Sequence, residues 1–273
     1  MMIGPNPFLA IDLLCQQIEK ATNRVREWTR MNAELAMWQA ETRRYVRWYN
    51  GKITLHGVPP PGSSEKVITT TDARKNACMT WNNIHQKRKY LADLDLRDDA
   101  FSGLRLLDLC SGPLPNALCF RDCEIYGIDH LMNRYSEIGF PTIEYDSRYH
   151  FVQGKVESMP FEDGFFDAAI AVNALDHIDN LYLASRNLKR VLKRNGLVRF
   201  IVEYHKSTVT EPLELNDDII LERFSWVRGL KKISESSADW KWPEKDLAVA
   251  ANRSRYHRDS GLSPRKYALW SNF

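Results

Sequence analysis

After Ser102 the chain changes texture. Short apolar runs, LRLLDL (104–109), EIYGID (124–129), HFVQG (150–154) and FDAAIAV (166–172), alternate with helical stretches. A helix near 180–194 and the run LVRFIVEY (197–204) follow. Strands separated by helices return through crossovers, so this texture predicts an α/β fold with a doubly wound, mostly parallel sheet. Such sheets bind ligands at the carboxyl ends of their strands. The residues just after each run are therefore where chemistry is expected.

The front of the chain reads differently. From Pro7 to Tyr49 no further Pro or Gly interrupts it, and Ile11, Leu14, Ile18, Ala21, Val25, Trp28 and Leu35 follow 3-4 spacing broken at Asn32. This predicts one long amphipathic helix, or two nearly continuous ones. The stretch GVPPPGSS (57–64) reads as a linker. A second helix is expected from about Thr71 to Leu91. The chain accordingly divides into a helical cap, 1–100, and a ligand-binding domain, 101–273. The first helix is expected to cap the pocket or to join copies of the chain as a homo-oligomer.

With 44% hydrophobic and 27% charged residues the composition is globular. No run of about 18 apolar residues is present, so no membrane-spanning helix is expected. The N-terminus lacks a basic leader, which points to a cytoplasmic protein. The five cysteines form no C-x-x-C pair and read as reduced thiols. The net charge of +3 is unevenly spread: +4 over 1–100, −8 over 101–180 and +7 over 181–273. The acidic middle argues against a nucleic-acid surface there, and the basic last third could meet an anionic acceptor.

Two acids stand at strand ends. Asp108 closes the first run and is followed by the small-residue turn Cys110-Ser-Gly112-Pro113, after which a helix is expected near Pro115. Gly112 would let backbone approach a ligand closely, and a helix start there would favour a carboxylate. Asp129 lies 21 residues after Asp108, the place from which an acid can accept ribose hydroxyls.

The segment Leu104–Asp179 resembles the class I S-adenosylmethionine (SAM)-dependent methyltransferases, most clearly those acting on small molecules. LLDLCSG is similar to their first motif and GIDHLM to their strand-two acid. VQGKVESMPFEDGFFDAAIAVNALDHIDN is similar to the stretch that follows, and NLKRVLKRNGLVRFIVEYH to the next helix and strand. The resemblance implies a Rossmann-like, seven-stranded sheet whose antiparallel finish would come from LKKISES (230–236) and KYALWSN (266–272). It implies SAM as cofactor, with Asp108, Cys110 and Gly112 on its methionine part and Asp129 on its ribose. His130 would stand beside the adenine, Val156 and Glu157 along its edge, and Asn173 on the sulfonium side. Two departures stand out. Cys110 and Leu114 replace glycines that the family often has, and Lys155 replaces an adenine-reading Asp.

Methyl transfer to a hydroxyl requires proton removal, and His205 and His177 stand just after strands where a base is needed. His205 is the first choice, because the position of His177 has a ready structural explanation. No dense ligand motif supports a metal, so none is expected. The expected function is an O- or N-methyltransferase acting on a small polar molecule, with a sugar or sugar-containing metabolite first. Trp240, Trp242, Tyr256 and His257 could floor such a pocket. The alternatives are an RNA or protein methyltransferase and a non-catalytic assembly partner.

Overall fold

The computed structural model describes residues 7–237 and 266–273. Strands β1 (Arg105–Leu109), β2 (Glu124–Asp129), β3 (Tyr149–Gln153), β4 (Phe166–Val172) and β5 (Leu192–Tyr204) run parallel. Strands β6 (Lys231–Ser237) and β7 (Lys266–Ser271) complete one sheet in the order β3-β2-β1-β4-β5-β7-β6, with β7 antiparallel to both neighbours. The expected doubly wound, seven-stranded architecture is therefore present. The chain steps outward from β1 to β3, then crosses back to β4 on the other side of β1. That reversal opens a crevice at the carboxyl ends of β1 and β4.

The central strands are apolar because both faces are covered. Ala168, Ala169, Ile170 and Ala171 of β4 are fully buried, and their small side chains let the flanking helices approach. Helix α5 (Leu181–Val191) buries Leu181, Ala184, Leu188 and Val191, and Asn180 caps it by accepting from the Leu183 amide at 3.0 Å. Helix α6 (Asp217–Arg223) is capped in the same way by Asn216.

The front of the chain forms α1 (Pro7–Tyr49), α2 (Ala73–Trp81), a π-helical turn (Asn82–Gln86) and α3 (Lys87–Leu94). Helix α1 is a single continuous helix. Its C-terminal half is anchored by aromatics. Tyr45 stacks on Trp81, Trp48 meets Trp81 edge-on at 5.1 Å, and the Trp48 indole donates to the Pro59 carbonyl at 2.8 Å. This cluster continues into Leu131, Tyr135 and Phe140 behind β2.

Two expectations need correction. The apolar seam assigned to α1 does not face inward over its described middle part: Val25 and Trp28 are 63% and 68% exposed, while Arg30 and Glu34 are buried. The cause is what the helix covers, a polar cleft in place of an apolar core. The helix expected near Pro115 is only a four-residue 3-10 turn, Asn116–Cys119. So short a turn brings no helix field to the ligand end of β1.

Among the described residues no helix is long and apolar enough to cross a membrane. Cys78, Cys110, Cys119 and Cys123 are free thiols. Trp48 is the fully buried anchor of α1. Trp48→Ala is expected to lower stability by about 3–5 kcal/mol, the usual cost of truncating a buried Trp, read as a fall in the urea midpoint at constant m-value.

Candidate active site

The turn after β1 is unusual in its backbone. Cys110 has φ +48° and Gly112 φ +64°, both in the left-handed region. Cys110 thus adopts without a glycine a conformation that glycine adopts freely. The Gly112 amide donates to Oδ2 of Asp129 at 3.0 Å. Oδ1 of Asp129 accepts from the Leu131 amide at 2.8 Å and from the Tyr135 hydroxyl at 3.0 Å. A carboxylate offers about four acceptor positions, so one remains, on the oxygen that meets Gly112. Asp129 is both a lock on the turn and an acceptor with spare capacity.

Asp108 lies one layer deeper. It is fully buried, accepts from the hydroxyls of Tyr149 (2.9 Å) and Tyr90 (3.2 Å), and lines no described cavity. Burial pushes its carboxyl up to about 7 against the two tyrosine bonds. Tyr149 reaches it across Gly127, where an added Cβ would sit 2.2 Å from the Tyr149 oxygen. Asp108 therefore shapes the turn from behind, and the structure does not bring it to the surface of the cleft.

Two connected lobes occupy the crevice, sharing Cys110, Asp129, His130 and His177. The larger encloses about 380 Å³ and is bordered by Trp38, Tyr90, Gly112, Asn173, His177 and Glu203. The smaller encloses about 30 Å³ beside Asp129, Val156, Glu157, Lys155, Asp179 and Arg30. Asn173 has φ +51°, and its buried Oδ1 finds no hydrogen-bond partner among the described residues. His130 likewise leaves Nε2 without one, 3.6 Å from Glu34. Glu157 spends one carboxylate oxygen on the Asp179 and Asn180 amides, at 2.9 and 3.0 Å. Of the sequence-predicted cofactor residues, Cys110, Gly112, Asp129, His130, Val156, Glu157 and Asn173 thus surround one cleft.

His205 does not join them. Its Nε2 is 3.0 Å from Asp176 Oδ2 and its Nδ1 2.7 Å from the Lys206 carbonyl. Both partners only accept, so both ring nitrogens carry protons. The Asp176 bond raises His205 from its ordinary 6.5 to about 9, against the effect of burial. Its side chain is 2% exposed and lines neither lobe, held between Asp176 and the Lys206 carbonyl. The structure thus does not bring His205, the first choice of base, to the wall of either lobe. His177 faces both lobes, with Nε2 3.9 Å from Asp176 Oδ2. Asp176, His177 and Glu211 each place one ligand-type atom within 4.8 Å of the others, but the Asp176 charge is already balanced by His205.

Residues of the front segment were not expected to build the cofactor end. Arg30 of α1 nevertheless walls the smaller lobe and Glu34 and Trp38 the larger, which Tyr90 of α3 also borders. Their signal in the sequence is polar 3-4 spacing, Glu27-Arg30-Glu34-Trp38, which apolar patterning passes over.

A crevice at the topological switch, an acid after β2 and a left-handed turn after β1 define a nucleoside-binding α/β domain. Residues 108–200, about a third of the chain, match a family model described as a methyltransferase domain. The chain is 25% identical to a sterol 24-C-methyltransferase of Gibberella zeae over 186 residues, 56% of this chain and 48% of the relative. It is 27% identical to a demethylmenaquinone methyltransferase of Staphylococcus haemolyticus over 101 residues, 35% of this chain and 42% of the relative. The matches span less than half the length of either relative. A phosphoethanolamine N-methyltransferase of Haemonchus contortus, solved with SAM, superposes with TM-score 0.49 at 14% identity, covering 78% of this chain and 61% of that one.

The His205–Asp176 pair makes a pH-dependent contribution to stability. A raised folded-state pKa stabilises fully below about 6.5 and is lost as pH rises through about 9. His205→Ala leaves a buried carboxylate alone and is expected to cost about 3–5 kcal/mol at pH 6. Urea midpoints at pH 6, 7.5 and 9.5 should show the gap to wild type narrowing with pH.

Proposed function

We propose that this chain methylates oxygen or nitrogen on a small polar molecule held in the larger lobe, using SAM held between Gly112, Asp129 and Asn173. The observation that carries the reading is the convergence of Gly112, Asp129, Asn173 and His177 on one cleft at the switch point. The residues fit the cofactor in kind. Asp129 keeps one acceptor position for a ribose hydroxyl, and the buried Asn173 Oδ1 lacks a partner among the described residues. SAM, when bound, supplies an electrophilic methyl on a sulfonium that leaves as a neutral thioether.

The protein must then exclude water, align the acceptor and take a proton. Residues 1–100 act as the cap and 101–273 as the cofactor domain. Trp38 and Tyr90 shield the larger lobe. His177 is the base: it faces the larger lobe beside Asn173 and lines the smaller one as well. The two curated relatives are named for a sterol and for demethylmenaquinone, which supports a small-molecule acceptor. A sugar remains the acceptor proposed from sequence. The aromatics that suggested it, Trp240, Trp242 and Tyr256 with His257, lie outside the described residues. A nucleic-acid acceptor fits less well, because the cleft is roofed by α1 and set in the acidic stretch of the chain. Self-association would use the exposed Val25 and Trp28 of α1.

Calorimetric titration with SAM is the first test. Wild type that takes up no SAM would leave only the assembly-partner reading. Asp129→Ala is expected to weaken SAM binding by about 1.5–3 kcal/mol, the worth of a hydrogen bond to a charged group. Unchanged affinity would remove the ribose role. His177→Ala should lower kcat by about 10²–10⁴-fold with SAM affinity nearly unmoved. Near wild-type turnover in that variant would favour an amine acceptor deprotonated by solvent.

A further inference from the structure

One face of α1 meets the cofactor domain at four successive turns. Glu27 pairs with Lys155, Arg30 pairs with Asp179, Glu34 lies 3.6 Å from His130, and Trp38 packs over Gly112. Lys155 also reaches Asp179 at 3.4 Å, so the first two contacts form one four-residue network. The network spans the mouth of the smaller lobe, which Arg30, Lys155 and Asp179 themselves line. That lobe encloses about 30 Å³, room for about two water molecules. A purine attached to the ribose at Asp129 would lie in this narrow, half-open groove, whose α1 side is held in place by Arg30. Ile128 of β2 and Val156 of the turn after β3, which line the lobe opposite, belong to the close-packed core.

We propose that α1 is a latched lid on the adenosine lobe, and that Glu27–Lys155–Asp179–Arg30 is the latch that must part for the nucleoside to pass. The inference rests on the reading of the cleft as a SAM site. It gives a role to Lys155, which departs from the family pattern: the lysine replaces a base-reading acid with a group that holds the lid. The latch is suited to release. Glu27, Lys155 and Asp179 are each about 40% exposed at their side chains, so the Glu27–Lys155 pair is weak and screened by salt, while Arg30, 11% exposed, meets Asp179 at the inner end of the network. Trp48 and Tyr45 anchor the far end of the same helix in the aromatic cluster, so motion is confined to the part over the lobe.

S-adenosylhomocysteine is the probe, because it carries no net charge and salt then reports on the latch. Its binding to the full chain is followed by stopped-flow tryptophan fluorescence, Trp38 standing at the cleft. Association should be roughly three- to tenfold faster in Glu27→Gln and in Arg30→Ala. Added salt should speed association in wild type and much less in the double variant. Circular dichroism and a melting curve establish that each variant is folded. Glu27→Gln is the milder change and keeps the test alive if Arg30→Ala does not fold. Equal association rates in wild type and the folded variants, with no salt dependence, would overturn the latch while leaving the SAM site intact. Failure of wild type to bind S-adenosylhomocysteine at all would overturn the site reading instead.

Discussion

The carboxylate of Asp129 is the point on which the cleft depends. It stands at the end of β2 and accepts from Gly112 after β1, from Leu131 just beyond β2 and from Tyr135 in helix α4 (Met132–Tyr135). The turn after β1, already next to β2 through the strand pairing, is thereby fixed to the start of α4. The turn it holds has two left-handed residues, Cys110 and Gly112, and a non-glycine in that region stores strain that its surroundings must offset. Asp108 supports the same turn from beneath through Tyr90 and Tyr149. The close pass of Tyr149 over Gly127 shows how little slack the layer has.

Helix α1 inverts the usual rule for a surface helix. Its charged stripe faces the protein and Val25 and Trp28 face solvent, because the surface beneath is a cleft lined with Asp129, His130, Lys155 and Asp179. Buried charges persist only when paired, and the two buried ones on this face each find a neighbour: Arg30 with Asp179 and Glu34 near His130. Burial and the Asp129 carboxylate together push Glu34 up from its ordinary range. A helix held this way is coupled to whatever occupies the cleft, since any change in charge or hydration there reaches its contacts directly.

The strand runs, the crossover order and the acids at strand ends were legible in the sequence because they follow period and position. The central strands carry near-continuous apolar residues, and Asp108 and Asp129 terminate two of them. What α1 covers was not legible. Apolar spacing selected Ala21, Val25 and Trp28, whereas the contact face is written in Glu27, Arg30 and Glu34, whose partners lie about 100–150 residues away. The role of Asp108 was hidden for the same reason. Its strand-end position suggested a ligand contact, but the tyrosines that occupy it come from α3 and β3. The helix expected after Pro115 failed because the chain needs only one 3-10 turn before β2.

The two histidines separate along the same line. Both follow strands, both lie near Asp176, and sequence position favoured His205 as the base. Its neighbours decide otherwise. A carbonyl on one side and a carboxylate on the other leave no lone pair to receive a proton, so His205 serves as a fixed cation. That cation holds Asp176, whose backbone carbonyl also accepts the Leu213 amide at 3.2 Å and so ties the segment after β5 to the segment after β4. His177 is left with one side toward Asp176 and another toward the cleft, the arrangement an acid–base residue requires. One carboxylate thus organises both rings. Its Oδ2 lies 3.0 Å from His205 Nε2 and 3.9 Å from His177 Nε2, so the two rings are set at fixed positions about the same oxygen.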